Sequence, residues 1–153
     1  MNPRDRIRLL GAGLAGVGVA PAALAQGQAA TKPISNAPWK VVMQISVDLH
    51  QAYEGLINIQ NVLKLDPAMK FTVVGYGKAI RFLLSGARAP SGAAFSGIIG
   101  GLANQGVEFK ACQNTLDFLK IPSSKLVLEA STVPAGVYEI IRLQSEGWYY
   151  LKP

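Results

Sequence analysis

The sequence predicts an α/β fold, a three-layer α/β/α sandwich with a mostly parallel sheet of about five strands. Two observations predict it. Short runs rich in β-branched residues alternate with segments whose apolar residues recur every three or four positions. No internal repeat interrupts this alternation. Strands joined through helices form right-handed crossovers, which place helices on both faces of a parallel sheet.

The first half of the predicted domain contains two strands and two helices. Residues 39–46 have the pattern of a strand, and Asp48 with Gln51 forms a capping box that starts a helix. Asp66-Pro67 ends that helix, and residues 70–76 form the second strand. The first helix is expected to bury Leu49, Ala52, Tyr53, Leu56, Ile59 and Leu63, and the short second helix Ile80, Leu83 and Leu84.

The second half adds three helices and three strands. A loop at residues 87–91 precedes a helix at residues 93–103, which its three glycines weaken. Asn114 is expected to cap a short helix that carries Leu116 and Leu119. The last helix is expected at residues 135–144, with Val137, Ile140 and Ile141 facing inward. The three strands are expected at residues 106–112, within residues 126–133 and at residues 148–151.

The N-terminal residues have the order of a cleavable signal peptide. Three arginines (Arg4, Arg6 and Arg8) precede an uncharged apolar stretch at residues 9–24, and Ala23-Leu24-Ala25 is a cleavage site. The stretch is too short, and too rich in Gly and Pro, for a transmembrane helix. Residues 1–25 are therefore predicted to be a signal peptide that directs a periplasmic protein, with an uncleaved anchor as the alternative. Residues 26–38 form a linker and residues 39–153 the domain.

The charge of the mature chain is modest. Removing residues 1–25 takes away three arginines and Asp5, so the formal net charge of +6 falls to +4. The remaining basic residues are scattered, whereas nucleic-acid-binding surfaces cluster them with aromatic residues. We therefore expect no nucleic-acid partner and no stable membrane anchor.

Cys112 is the single cysteine of the chain. It ends the third predicted strand just before a helix start, where backbone N–H groups and the helix dipole favour the thiolate. Alternation along the strand places it on the same face as Glu108 and Lys110. An unpaired cysteine in an exported protein is a candidate reactive thiol. The alternative is a buried structural cysteine.

The other candidate groups give weaker signals. One His and one Cys do not make a metal cluster, and His50 is best explained as a solvated residue at a helix start. Gly75-Tyr76-Gly77 lacks the third glycine of a dinucleotide-binding turn, so no metal and no cofactor is predicted. Lys78 and Arg81 could attract a small anion, although a solvated basic surface is the favoured interpretation.

Four stretches of the sequence, taken in order, resemble one protein family. They are VVMQIS before an Asp-started helix, FTVVGYG, QGVEFKACQNTL and VPAGVYEIIRLQSEGWYYLKP. Together they resemble the DsrE/DsrF-like family of sulfur-relay proteins, as an exported branch, over nearly all of residues 39–153. The resemblance implies a DsrE/F-like three-layer fold and assembly into trimers or hexamers. It also implies that Cys112 carries sulfur as a persulfide.

The expected function is that of a periplasmic persulfide carrier or sulfurtransferase-like protein that uses Cys112. Five further residues are expected to shape the substrate pocket: Gly75, Tyr76, Gly77, Asn114 and Thr115. The expected partners are further copies of the chain and a sulfur donor or acceptor protein. The alternative is a non-catalytic oligomeric protein that binds a small ligand or acts as a scaffold, with an incidental cysteine.

Overall fold

The computed structural model describes residues 38–153. The predicted signal peptide, and the predicted linker up to residue 37, lie outside the described residues. Five strands form one sheet in the order β4-β3-β2-β1-β5, and every neighbouring pair is parallel. The strands are β1 (Lys40–Ile45), β2 (Lys70–Gly75), β3 (Glu108–Cys112), β4 (Ala130–Val133) and β5 (Tyr149–Leu151).

Four α-helices and two short 3₁₀ helices connect these strands within residues 38–153. The α-helices are α1 (Leu49–Leu65), α2 (Phe95–Ala103), α3 (Gln113–Phe118) and α4 (Gly136–Ser145). The 3₁₀ helices are Gly77–Leu83 and Ser123–Lys125. The predicted α/β fold is confirmed, and the sheet is parallel throughout. No helix of the described part is long and apolar enough to cross a membrane.

The two faces of the sheet are covered unequally. One face packs against α1, α2, α3 and the 3₁₀ helix Gly77–Leu83, and it contains most of the buried apolar side chains. Alternation turns every second strand residue to the other face, where Val42 and Val74 meet Ile140 and Leu143 of α4. A single helix therefore covers the second face, and the carboxyl ends of the central strands lie beside its start.

The start of α1 is fixed by two side chains. Asp48 has an extended backbone, and its carboxylate accepts a hydrogen bond of 2.9 Å from the backbone N–H of Gln51. The predicted cap is therefore confirmed. Gln51 reaches past Asp48, because its Oε1 accepts hydrogen bonds from the N–H groups of Ser46 (2.8 Å) and Val47 (2.9 Å). This amide ties the loop after β1 to the first turn of α1.

The inward face of α4 differs from the expected one. Gly136, Glu139, Ile140 and Leu143 are buried, whereas Val137 is 53% and Ile141 59% exposed. The buried residues follow a spacing of three, four and seven, so the side of the helix that carries Val137 and Ile141 faces away from the sheet. The prediction for these two residues was wrong because a buried glutamate takes a position that hydrophobicity alone assigns to an apolar residue.

Candidate functional site

Cys112 lies where β3 turns directly into α3. It is the last residue of the strand and the N-cap of the helix, with no loop between them. Asn114 is therefore inside the first turn of α3, and the prediction that it caps this helix was wrong. Glu108 is exposed and Lys110 is half-buried on the face that alternation assigns to Cys112, but the cysteine itself is 6% exposed. The thiol is therefore at the buried carboxyl end of β3, and the charged residues of this face, Glu108 and Lys110, lie earlier along the strand.

The start of α4 closes over Cys112. A Cβ atom built on Gly136 would lie 3.2 Å from the Cβ of Cys112 and 3.2 Å from Cδ1 of Tyr76. The absence of a side chain at Gly136 thus lets the helix backbone approach the cysteine. The N-cap of α4, Ala135, provides no side-chain hydrogen bond. The first-turn N–H groups of α4 are therefore free of a side-chain cap beside the cysteine.

Backbone contacts hold the two helix starts together. The N–H of Asn114 donates a 3.2 Å hydrogen bond to the carbonyl of Pro134, two residues before α4 begins. Cys112 and Val133 are partners in the pairing of β3 with β4. The cysteine therefore lies at a point where the starts of α3 and α4 converge, and helix starts favour negative charge.

Charged side chains of α4 and of the residue that caps its carboxyl end form a cluster that begins one turn beyond Gly136. Arg142 donates two hydrogen bonds of 2.8 Å to the carboxylate of the buried Glu139, and it also pairs with Glu146. The pKa of Glu139 lies below its usual value, chiefly because of the hydrogen bonds from Arg142. Burial raises this pKa, but the positive charges of Arg142 and Lys110 add to the lowering. Glu139 is therefore held as a carboxylate close to the second face of the sheet.

A pocket of about 310 Å³ opens between the 3₁₀ helix Gly77–Leu83 and α3. The 3₁₀ helix contributes Gly77, Lys78 and Arg81, and α3 with the residue after it contributes Asn114, Thr115, Phe118 and Leu119. The N–H of Gly77 donates a 3.4 Å hydrogen bond to Oγ1 of Thr115, which joins the two walls. The pocket begins two residues after Cys112 but is not lined by it.

Comparison with known proteins places this arrangement in a family. The model of the DsrE/DsrF-like family matches residues 40–153, which cover all five strands and the whole site. The chain belongs to the DsrE/DsrF-like family. A search of curated proteins found no match. Membership of the DsrE/DsrF-like family points to a role related to sulfur relay.

Two solved structures are similar to this DsrE/DsrF-like chain. MTH1491 from Methanobacterium thermoautotrophicum, described as a protein of unknown function, is 29% identical with a TM-score of 0.67. The ychN protein from E. coli is 14% identical with a TM-score of 0.65, and this likeness concerns the fold alone. Each similarity covers 75% of this chain and 99% of the other. The DsrE/DsrF-like domain therefore corresponds to nearly the full length of both proteins.

The structure divides the predicted site residues of this DsrE/DsrF-like domain into three groups. Gly77, Asn114 and Thr115 line the pocket. Tyr76 lies with Cys112 beside the start of α4. Gly75 is outside the pocket, where a Cβ would come within 2.9 Å of Phe82 and Leu83 of the 3₁₀ helix. The three groups share the carboxyl end of β2 and β3 but do not form one cavity.

Gly77 has a backbone that requires glycine. Its φ is +58°, and a Cβ there would lie 2.7 Å from the backbone oxygen of Ser46. A side chain would clash with that backbone, so this glycine shapes the turn. This conformation directs the N–H of Gly77 toward Oγ1 of Thr115.

One aromatic and one aliphatic residue of the pocket, Phe118 and Leu119, were not predicted from the sequence. Phe118 is 85% exposed and lies outside the apolar face of α3, so the hydrophobic pattern that identifies buried residues does not indicate it. Lys78 and Arg81 were considered, and their spacing of three residues is the signal that places both on one side of a 3₁₀ helix. His50 is exposed in the first turn of α1, and residues 38–153 contain no cluster of three or more His, Cys, Asp or Glu side chains.

Proposed function

We propose that the protein is a periplasmic sulfur carrier that holds sulfane sulfur as a persulfide on Cys112. The family supports a role related to sulfur relay. The observation that carries the proposal is the position of the only cysteine at the converging starts of α3 and α4. Uncapped N–H groups at a helix start stabilise an anionic sulfur, whether thiolate or persulfide.

The transfer step conserves atoms and electrons. The Cys112 thiolate attacks the sulfane sulfur of a donor such as thiosulfate and forms a new S–S bond. The S–S bond of the donor breaks, and its electron pair leaves on sulfite. The product is the anionic Cys112 persulfide, and attack by an acceptor thiolate on its outer sulfur reverses the exchange.

The geometry limits how a donor can approach. Cys112 is 6% exposed, so a donor reaches it with one narrow sulfur atom. Tyr76 and Gly136 border the cysteine on the side of α4. Gly77, Asn114 and Thr115 support the neighbouring turn and pocket wall, and Gly75 acts on that turn through its packing against Phe82 and Leu83.

The burial of Cys112 favours a second candidate function. In this alternative the cysteine is a packing residue, and the protein binds a small ligand in the pocket that Cys112 does not line. The two candidates differ in the fate of the thiol, because a packing cysteine neither accepts sulfur nor reacts rapidly.

The test is sulfur loading followed by mass spectrometry. Protein recovered from the periplasmic fraction is treated with polysulfide, or with thiosulfate and a transferase, and then digested. We expect the peptide that contains Cys112 to gain the mass of one sulfur. The same spectra report the mature N-terminus, which we expect at Gln26 or within a few residues of it.

Two variants make the test specific to the site. Cys112→Ser should fold and gain no sulfur. Cys112→Ser combined with Ser145→Cys moves the thiol to an exposed position at the carboxyl end of α4, where the helix dipole disfavours an anionic sulfur, and it should load much more slowly than the wild type. Equal loading of the moved cysteine, or no loading of the wild type together with ordinary iodoacetamide reactivity, contradicts the carrier proposal. A Cys112→Ser protein that unfolds supports the packing role.

A further inference from the structure

The pocket between the 3₁₀ helix and α3 carries two cations that lack carboxylate partners. Lys78 and Arg81 lie three residues apart in a 3₁₀ helix, in which such side chains eclipse each other. Neither makes an ion pair with any residue of the described part. The one acidic residue of α3, Asp117, does not line the pocket and instead accepts a 2.8 Å hydrogen bond from Gln113.

The remaining polar groups of the pocket also offer hydrogen-bond donors. Oγ1 of Thr115 accepts the N–H of Gly77, so the hydroxyl hydrogen stays available to a ligand. The side-chain amide of Asn114 makes no hydrogen bond with the residues that the structure describes, and its NH₂ group is a further donor. Lys78, Arg81, Thr115 and Asn114 are therefore hydrogen-bond donors that line one pocket, and no carboxylate lines it.

The rest of the wall is apolar. Leu119 and the exposed ring of Phe118 border the donors. A large aromatic side chain that is 85% exposed gains by being covered. A ligand that fits both halves has an acidic head and an apolar body.

We propose that this pocket binds a small organic oxyanion, with its carboxylate or sulfonate head on Arg81 and Lys78 and its apolar body against Phe118. The planar guanidinium of Arg81 can hold such a head through two parallel hydrogen bonds. A volume of about 310 Å³ fits a ligand of the size of one substituted ring and is too small for a dinucleotide. This site requires no reaction at Cys112, so it stands independently of the sulfur-carrier proposal.

Benzenesulfonate tests the proposal, because it has the required head and body, with benzenesulfonamide as the neutral analogue. Titration of the ¹⁵N-labelled protein, followed by NMR, gives affinity and location together. We expect the largest shifts at the backbone N–H groups of Gly77 and Thr115. The neutral analogue should bind about tenfold more weakly, because it loses the charge-assisted hydrogen bonds.

Matched variants separate specific binding from general attraction by a basic protein. Lys78→Gln with Arg81→Gln should weaken benzenesulfonate binding by at least about tenfold. Lys64→Gln with Lys125→Gln removes the same charge at exposed positions outside the pocket and should change the affinity less than about twofold. All four positions are exposed, so the fold should survive, and unfolding curves check this.

Phe118→Ala provides an independent test of the apolar half. It should weaken benzenesulfonate binding while leaving the charges in place, and Cys112→Ser should bind like the wild type. The proposal is overturned if the sulfonamide binds as tightly as the sulfonate, if the Lys78 and Arg81 variant keeps wild-type affinity, or if the shifts cluster elsewhere. Failure of sulfur loading at Cys112 leaves these expectations unchanged.

Discussion

Thr72 carries a hydroxyl group that has no hydrogen-bond partner in the described part of the chain. It lies in β2, is 1% exposed, and faces the same side of the sheet as Val42 and Val74. A buried hydroxyl without a partner keeps the cost of its lost hydration and gains nothing in return. The residue therefore weakens the packing of this face, where Val42 and Val74 meet Ile140 and Leu143 of α4.

Replacing this hydroxyl with a methyl group should stabilise the protein. Thr72→Val keeps the shape of the side chain and removes the unpaired oxygen, so we expect the free energy of unfolding to rise by about 1 kcal/mol. Urea denaturation measures the change. Thr132→Val, at an exposed position of β4, is the matched control and should change the free energy by less than about 0.5 kcal/mol. A Thr72→Val protein that is less stable than the wild type contradicts this account.

Single residues also mark how far the sequence leads toward the candidate site. Cys112 could be placed at the end of a strand and next to a helix start, because strand alternation and cap chemistry are local. Its contact with Gly136 could not be predicted, because it depends on how α4 packs over a strand 24 positions earlier in the chain. The role of Phe118 and Leu119 also depends on a distant segment, because the opposite wall of their pocket belongs to the 3₁₀ helix Gly77–Leu83.

At the scale of one element, α4 combines a buried carboxylate with a cationic clamp. Arg142 follows Glu139 by three positions and Glu146 follows Arg142 by four, so all three lie on adjacent turns of one side of the helix. The pKa of Glu139 is lowered, chiefly by hydrogen bonds from Arg142. A carboxyl whose pKa is lower in the folded state stabilises the fold only while it is ionised.

The stability of the protein should therefore depend on Glu139 in a defined pH range. The contribution of this group is fully present above its unfolded pKa of about 4.3, and it is lost as the pH falls through the lower folded value. Glu139→Gln should be less stable than the wild type at pH 7, and the difference should shrink as the pH falls below about 4.3. Urea denaturation between about pH 3 and pH 7 measures the stability difference and its dependence on pH.

A second glutamate gives the control for this pH effect. Glu129 is exposed and makes no ion pair in residues 38–153, so Glu129→Gln should leave the pH dependence of stability unchanged. A gap between wild type and Glu139→Gln that stays constant down to about pH 3 contradicts the role of the ionised carboxylate.

The secondary-structure elements could be predicted where the buried face of the helix or strand consists mainly of apolar residues. The apolar spacing of α1 and the β-branched runs of β1 and β2 follow from the buried surfaces they form. The prediction was wrong for α4 because the helix buries a glycine and a glutamate while leaving Val137 and Ile141 outside. Hydrophobicity indicates which residues favour burial. In α4, however, a glycine that allows close backbone packing and a glutamate paired with an arginine are buried instead.

On the scale of the whole molecule, large apolar side chains remain on the outer surface of α4 and on β5. Val137, Tyr138 and Ile141 are 53%, 66% and 59% exposed, and Tyr149, Tyr150 and Leu151 are 57%, 44% and 43% exposed. Apolar groups that are exposed side by side commonly mark protein interfaces. The stacking of Trp39 on Tyr149 at 4.8 Å and the hydrogen bond from Tyr150 to Gln44 cover β5 only in part.

We propose that these surfaces join copies of the chain, as a trimer or a multiple of it. Light scattering at micromolar concentration should give the mass of a trimer, or of a multiple of it, for the wild type. Ile141→Glu places a charge in the exposed stripe of α4 and should shift the mass toward the monomer. Leu65→Glu, at a 69% exposed position at the end of α1, is the matched control and should keep the wild-type mass. A monomeric wild type ends this proposal.

The order β4-β3-β2-β1-β5 also determines when the chain can finish folding. β1 pairs on one side with β2 and on the other with β5, so Val41 can pair with Tyr149 only after nearly all of the domain has been synthesised. During synthesis the first strand therefore keeps an open edge until β5 has been made, and contacts between distant positions form slowly. The export proposed here benefits from this delay, because a nascent chain without β5 lacks the complete five-stranded sheet that would resist passage across a membrane.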